Sequence, residues 1–167
     1  MKNKGYVLVV KDVEVSKRFH QDVTGATVQL DLGGYVVFEE GFFLLDEATW
    51  KELNEDCQLA VTYSHNAGEM YFEEDELDAF LSKLGTYNGI RMFSSLKETA
   101  WGQRTVKFRD PDGHLVEVGE SMELVVKRVL LSGLSVEEAA RKSMFSLEVV
   151  KKCLAEIQEQ DKPAEGQ

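Results

Sequence analysis

The chain has 167 residues, with 19 lysines and arginines against 30 aspartates and glutamates, and its formal net charge is −11. Because phosphate backbones require a basic surface, this acidic balance argues against nucleic acid as a partner. The chain has no apolar run of about 18 residues, which argues against a membrane span. Its first residues lack a signal-peptide pattern, so we expect a cytoplasmic protein.

Residues 5–46 predict one β-α-β-β-β series. The segment 5–11 is rich in β-forming apolar residues, as in a strand buried on both sides. A helix then follows Asp12, a predicted N-cap, or begins at Ser16 as a shorter helix, and it ends at Gly25. Its apolar residues recur at helical spacing: Val15, Phe19 and Val23. Three short strand candidates come next, within residues 26–32, 34–40 and 41–47.

The same order of elements recurs in residues 69–120. It comprises a strand at 69–74, a helix at 76–85, a strand at 90–95 and a final strand pair at 102–110 and 114–120. Asp12 and Glu76 open the two helices, and Gly41 and Gly113 precede the two last strands. Residue identity between the halves is low, so the repeated order of elements is what predicts a duplicated module.

Residues 122–160 change to a helical periodicity and predict a three-helix appendage. Ser135 and Glu138 have the spacing of a capping box, and Ser146 can cap the next helix. The appendage holds six basic and six acidic residues, so its net charge is zero. We therefore predict a domain at 1–121, the appendage at 122–160 and a flexible tail at 161–167.

Three segments resemble the vicinal oxygen chelate superfamily, which includes glyoxalase I, bleomycin-resistance proteins and extradiol dioxygenases. They are YVLVVKDVEVSKRFHQDVTG, ELDAFLSKL and above all WGQRTVKFRDPDGHLVEVGE. The resemblance covers about residues 5–120. It implies an α+β fold in which two βαβββ modules form a curled, mostly antiparallel sheet with a ligand cleft, here followed by the helical appendage.

The resemblance also implies where a metal would bind. In metal-dependent members each module supplies one ligand from its first strand and one from its last, which gives Gly5, Leu45, Glu69 and Glu117 here. Glycine and leucine offer no side-chain ligand, and zinc, nickel or iron needs at least three nitrogen or oxygen ligands. We therefore expect no metal cofactor, although the two carboxylates can hold a divalent ion weakly.

Five residues are candidates for binding a ligand in the cleft. Glu117, the catalytic candidate, either faces water on an exposed strand or acts in the cleft as a ligand anchor or general base. Glu69 pairs with it in the same argument. Trp50 and Trp101 either line an apolar cleft or belong to the core. Arg104 binds an anionic ligand or pairs with a nearby carboxylate.

The remaining polar residues of interest receive structural interpretations. His114 is assigned to the turn or the surface, His65 to a loop near the cleft entrance, and His20 to packing or exposure on the first helix. Asp110 and Asp112 are explained by the tight turn in which they lie.

The sequence favours a homodimer that binds a small aromatic or amphipathic molecule in its cleft without an essential transition metal. This function is similar to that of the bleomycin-resistance branch. A first alternative is a metal-dependent lyase, isomerase or dioxygenase of the glyoxalase type. A second is a ligand-sensing regulator whose residues 133–154 resemble a helix-turn-helix and contact DNA. Lys151 and Lys152 there are offset by Glu148 and Glu156.

Overall fold

The computed structural model describes residues 1–56 and 60–160. The tail predicted at 161–167 lies outside the described residues. The first module contains β1 (Tyr6–Val10), α1 (Val13–Phe19), β2 (Val28–Asp31), β3 (Tyr35–Phe38) and β4 (Phe42–Asp46). After α2 (Glu47–Leu53), the second contains β5 (Glu69–Glu74), α3 (Leu77–Thr86), β6 (Arg91–Glu98), β7 (Arg104–Arg109) and β8 (Leu115–Glu120). The chain continues with α4 (Met122–Leu131), α5 (Val136–Ser143) and α6 (Leu147–Gln160).

The two modules have the same strand order. The sheets run β1-β4-β3-β2 and β5-β8-β7-β6, so each module's first strand lies beside its last. In the first sheet β1 is parallel to β4, and the other pairs are antiparallel. The predicted α+β class, the two βαβββ modules and the helical appendage are confirmed. The strands form two open four-stranded sheets, where the resemblance implied one curled sheet.

The first helix begins and ends as predicted. Asp12 is its N-cap, since its carboxylate accepts a hydrogen bond of 3.0 Å from the backbone N–H of Val15. A π-helical turn, His20–Thr24, follows α1, and Gly25 ends it with a φ of 74°. This positive φ is a conformation that glycine adopts without steric cost.

The buried face of α1 is rotated from the predicted one. Phe19 and Val23 are buried as expected, but Val15 is 49% exposed, and Val13 and Ser16 face the core instead. The prediction for Val15 was therefore wrong. Ser16 is tolerated in the core because its hydroxyl donates a hydrogen bond of 3.3 Å to the Asp112 carboxylate.

The first strand is not buried on both sides, so that prediction was wrong as well. Leu8 and Val10 are buried, while Tyr6 is 45% and Val7 42% exposed. The exposed half of β1 borders a cavity, which explains why an apolar strand keeps accessible side chains here.

The chain forms two compact units. The first consists of Met1–Phe72, Leu81–Phe93 and Lys107–Glu117, and the second of Glu73–Phe80, Ser94–Val106 and the chain from Val118 onward. The largest buried side chains of the first unit include Phe38, Phe108, Leu44, Val10, Val36 and Val116. The sequence-based boundary between residues 121 and 122 stays a prediction.

Within the second unit, α4, α5 and α6 share an apolar core. Its buried members are Val125, Val126, Val129, Leu130, Ala139, Ala140, Val150 and Cys153. The predicted capping box is confirmed, since Ser135 Oγ accepts from the Glu138 N–H at 3.2 Å and Glu138 accepts from the Ser135 N–H at 2.8 Å. In residues 1–56 and 60–160, no helix is both long and apolar enough to span a membrane.

Candidate functional site

A cavity of about 470 Å³ lies beside β1 in the first unit. Its walls come from β1, the segment 61–68 and the first residues of β5 and β8. Most of the wall is apolar and consists of Val7, Leu8, Val9, Val61, Met70 and Leu115. The polar groups on the wall are Tyr6, Thr62, His65, Glu69 and His114. An apolar cavity of this size with few polar groups suits a small ligand.

One of these polar groups, His114, is held by a buried carboxylate. Asp110 is 1% exposed, and its Oδ1 accepts hydrogen bonds of 2.7 Å from the backbone N–H groups of Gly113 and His114. Its Oδ2 lies 2.7 Å from Nδ1 of His114. Burial alone raises the pKa of Asp110, but the hydrogen bond and charge of His114 outweigh burial, and the pKa lies below its ordinary value.

Asp110 is ionised and can only accept, so Nδ1 of His114 carries the hydrogen that this bond requires. In an uncharged imidazole the other ring nitrogen, Nε2, is a hydrogen-bond acceptor, and Nε2 makes no hydrogen bond in the described part of the chain. The His114 side chain is only 10% exposed, and its ring packs edge-on against Tyr63. Of its predicted assignment, the turn is confirmed by the two hydrogen bonds of His114 to Asp110, whereas the surface is wrong, because the buried side chain lines the cavity.

His20 lies deeper, 3.9 Å from Oδ2 of Asp110. It is completely buried against the rings of Phe19, Phe38 and Phe42, and neither of its ring nitrogens has a hydrogen-bond partner. Burial lowers the pKa of His20 to about 4, so the imidazole is neutral at neutral pH. Of its two predicted alternatives, packing is therefore confirmed.

Asp112 fixes the turn to the first module. Its Oδ2 accepts from the backbone N–H of Lys11 at 3.1 Å and from the hydroxyl of Ser16 at 3.3 Å. Gly113 has a φ of 104°, and a Cβ atom there would overlap Ser64. The turn therefore does more than reverse the chain, because it places Asp110 behind His114 at the cavity wall.

The two predicted cleft carboxylates are brought together by a lysine. Nζ of Lys107 lies 2.7 Å from Glu69 and 3.0 Å from Glu117. The side chains of Lys107 and Glu117 are 27% and 14% exposed. Burial alone lowers the pKa of Lys107, but the two carboxylates outweigh burial, and the pKa lies above its ordinary value. Lys107 is therefore a charged ammonium that neutralises part of this acidic pair.

The other three predicted ligand residues have protein partners. Trp50 is half-buried in α2, and its carbonyl accepts from Asn54. Trp101 is half-buried, and its indole N–H donates to Gln103 at 3.1 Å. Arg104 pairs with carboxylates, as in one of its two interpretations: Asp78 at 3.0 Å and Glu120 at 3.4 Å. A ligand role for these three residues stays a prediction.

Residues 3–123 match the family model of the glyoxalase-like domain. The chain belongs to the glyoxalase-like domain family. This membership confirms the vicinal oxygen chelate superfamily predicted from the sequence. No curated protein matches the chain.

Several solved structures resemble this glyoxalase-like domain. A protein of unknown function from Agrobacterium tumefaciens str. C58 is 32% identical, with a TM-score of 0.66 over 72% of this chain and 94% of that one. A lactoylglutathione lyase from Agrobacterium tumefaciens is 25% identical, with a TM-score of 0.55 over 70% and 92%. A glyoxalase/bleomycin resistance protein/dioxygenase from Nocardioides is 24% identical, with a TM-score of 0.58 over 72% and 83%, and it shows the fold alone.

The four superfamily metal positions do not fit a metal ion in this glyoxalase-like domain. Gly5 has a φ of 123°, and a Cβ atom there would overlap the carbonyl of Gly41, so no side-chain ligand can stand at this position. Leu45 is a buried hydrophobe at 7% exposure. The remaining two, Glu69 and Glu117, already hold the ammonium of Lys107.

Proposed function

We propose that this glyoxalase-like domain binds a small, largely apolar molecule in the cavity beside β1 without an essential transition metal. The observation that carries the proposal is the cavity itself, about 470 Å³ with mainly apolar walls. Burial of apolar ligand surface supplies the driving force, at roughly 25 cal/mol per Å² of area removed from water. A few polar groups on the wall then orient the ligand.

The ion pairs of Lys107 support binding without a metal. A divalent cation that used Glu69 and Glu117 would have to displace an ammonium that lies about 3 Å from both carboxylates. It would then lack further side-chain ligands, because the other two superfamily positions are glycine and leucine. The metal-dependent lyase or dioxygenase alternative therefore receives no support from this chain's own residues.

The charges of the appendage do not favour the regulator alternative. Lys151 and Lys152 are exposed on α6, but Lys152 lies 3.7 Å from Glu156, and Glu148 is exposed on the same helix. A DNA-reading helix presents an excess of basic groups to phosphates and base edges, which α6 does not have. We therefore do not extend the proposal to DNA.

We also propose that the domain is a homodimer. Met92 on β6 is a large apolar side chain with 52% exposure. The strand β6 is an edge strand of 8 residues, and long edge strands are normally covered in a stable protein. A second copy of the chain that packs on β6 would cover Met92. The cytoplasmic location expected from the sequence stays a prediction.

A thermal-shift screen with a matched pair of valine variants tests the ligand proposal. Val7 lines the cavity, whereas Val15 is equally exposed on α1 and lies outside the cavity wall. Small aromatic and amphipathic compounds that raise the Tm of the wild type and of Val15→Trp, but not of Val7→Trp, support it, because bound ligand stabilises by mass action. If no compound raises the Tm of the wild type, or if Val7→Trp responds like the wild type, the proposal is wrong.

A further inference from the structure

The His114 ring is the buried polar feature of the cavity that the proposed function leaves unexplained. The side chain is nine-tenths buried, and Nδ1 is bound to Asp110. Nε2 makes no hydrogen bond in the described residues, and it is not among their fully buried atoms without a partner, which belong to His20, Arg104 and Ser121. Because Nδ1 is turned toward Asp110, Nε2 is the nitrogen left for a molecule in the cavity.

We propose that the Asp110–His114 pair is the recognition element of this cavity, and that Nε2 of His114 accepts a hydrogen bond from a neutral ligand with an acidic O–H group, such as a phenol or an enol. The inference rests on the function proposed above, because it assigns an atom and a ligand class to the same cavity. No proton transfer is required, since the hydrogen bond alone selects the ligand.

The surroundings of Asp110 fix the orientation of the His114 ring. Two backbone N–H groups bind Oδ1 of Asp110, so Oδ2 is directed at His114 in a fixed geometry. The neighbouring His20 does not compete for Oδ2, because neither of its ring nitrogens makes a hydrogen bond. The carboxylate therefore holds Nδ1–H of His114 and leaves Nε2 for the ligand.

The charges around the cavity explain why the ligand should be neutral. The carboxylate of Asp110 stands directly behind His114, whereas Glu69 on the wall is paired with Lys107. A ligand carboxylate at Nε2 would meet the negative charge of Asp110, whereas a neutral phenol brings only its O–H dipole. Apolar neighbours such as Leu8 and Leu115 exclude water and strengthen the hydrogen bond to a phenol.

Phenol and anisole test this inference, because they have the same ring but only phenol has an O–H donor. We expect the wild type to bind phenol about tenfold more tightly than anisole by titration calorimetry, as one hydrogen bond in a buried site supplies. The His114→Phe variant should bind both compounds equally. The matched variant Val15→Phe adds the same side chain on α1, outside the cavity wall, and should keep the preference.

A nitrogen NMR spectrum of the wild type gives a readout that does not depend on any variant. The chain has three histidines, so their ring signals can be assigned. Phenol, but not anisole, should shift the His114 Nε2 signal and leave the Nδ1–H tautomer unchanged.

The outcomes separate this inference from the proposed function. Equal affinity of the wild type for both compounds overturns the inference, as does a preference for phenol that persists in His114→Phe or an unchanged Nε2 signal. The proposed function stands in each of these cases if Val7→Trp still blocks the compounds that raise the Tm. If neither probe binds, the inference is overturned, and the compound screen decides the proposed function independently.

Discussion

Glu117 lies 3.0 Å from the ammonium of Lys107. Glu117 stands at the superfamily's last-strand metal position, and the cation beside it is the ammonium of the chain's own Lys107. The same ammonium holds Glu69, the first-strand position of the second module, at 2.7 Å. The two carboxylates stand at the sequence positions where the superfamily resemblance implies metal ligands, and their charge is balanced from within the protein.

Replacement of Lys107 by Met should make the two carboxylates repel each other. We expect the free energy of unfolding near pH 7 to fall by about 1–2 kcal/mol, a value between those of exposed and buried ion pairs. Urea denaturation measures this loss, and Mg²⁺ or Mn²⁺ should recover part of it in the variant only.

A matched control for Lys107→Met is available on α1. Lys17 also bridges two carboxylates, Glu14 and Asp31, but all of its partners are at the surface. Lys17→Met should show no response to a divalent ion. Stabilisation of the wild type itself by Mg²⁺ would show that Lys107 does not occupy the cation position.

The buried His20 should make stability depend on pH. Its pKa falls from the ordinary value of 6.5 in the unfolded chain to about 4 in the folded one, so the unfolded state binds more protons below about pH 6.5. The stabilisation by neutral His20 is complete above about pH 6.5 and is lost as the pH falls toward about 4. Between about pH 7 and about pH 5 we expect a loss of about 2 kcal/mol from this group.

Urea denaturation of His20→Phe and His65→Phe at these two pH values measures the contribution of His20. The slope of stability with pH should be smaller in His20→Phe, because phenylalanine does not titrate. His65 is exposed, so His65→Phe should keep the wild-type slope. Equal slopes in all three proteins would contradict the low pKa assigned to His20.

Alanine substitutions of Gly5 and Gly25 test whether the superfamily's first metal position, Gly5, can hold a side chain. Both have a positive φ, but only Gly5 has backbone within the space of a Cβ atom, since Gly25 has nothing within 4 Å. Gly5→Ala should lower the free energy of unfolding by about 2–4 kcal/mol, from strain and overlap together. Gly25→Ala should cost about 1 kcal/mol. Equal losses would show that the chain can accommodate a side chain at the superfamily's first position.

The proposed dimer predicts that substitutions of two exposed methionines affect the oligomeric state differently. Met92 lies on the edge strand β6 at 52% exposure, and Met144 lies beyond α5 at 74%. Sedimentation should show a dimer for the wild type and for Met144→Lys, and a monomer for Met92→Lys, because a lysine at the centre of an apolar interface loses its hydration. A monomeric wild type at micromolar concentration would contradict the proposal.

Much of the fold could be predicted because local signals determine it. Asp12 caps the start of the first helix, and Gly25 ends the helical segment with its positive φ. The capping box of Ser135 and Glu138 begins α5. Each of these signals lies within the segment that it bounds. The order of elements repeats, so the second module follows from the first. The face of α1 could not be predicted, because the buried Ser16 donates its hydrogen bond to Asp112 in a turn that is distant in sequence.

The site was only partly predictable for the same reason. Lys107 could have been paired with Glu117 from the hairpin register. The backbone N–H of Asp110 donates to the carbonyl of His114, and counting outward from this pair places Lys107 opposite Glu117. His114 shares its strand face with Val116, which signals burial. The contact of its ring with a cavity wall depends on residues far away in sequence, which no local pattern reveals.

The most direct test of the central claim is titration calorimetry of a cavity ligand, found by the thermal-shift screen, with protein purified without chelator and with the same protein after chelator treatment. We predict equal affinity in both samples, no stoichiometric Zn²⁺, Ni²⁺ or Fe²⁺ by elemental analysis, and loss of binding in Val7→Trp. A stoichiometric transition metal, whose removal abolishes binding and whose content falls in Glu117→Gln, would contradict the claim.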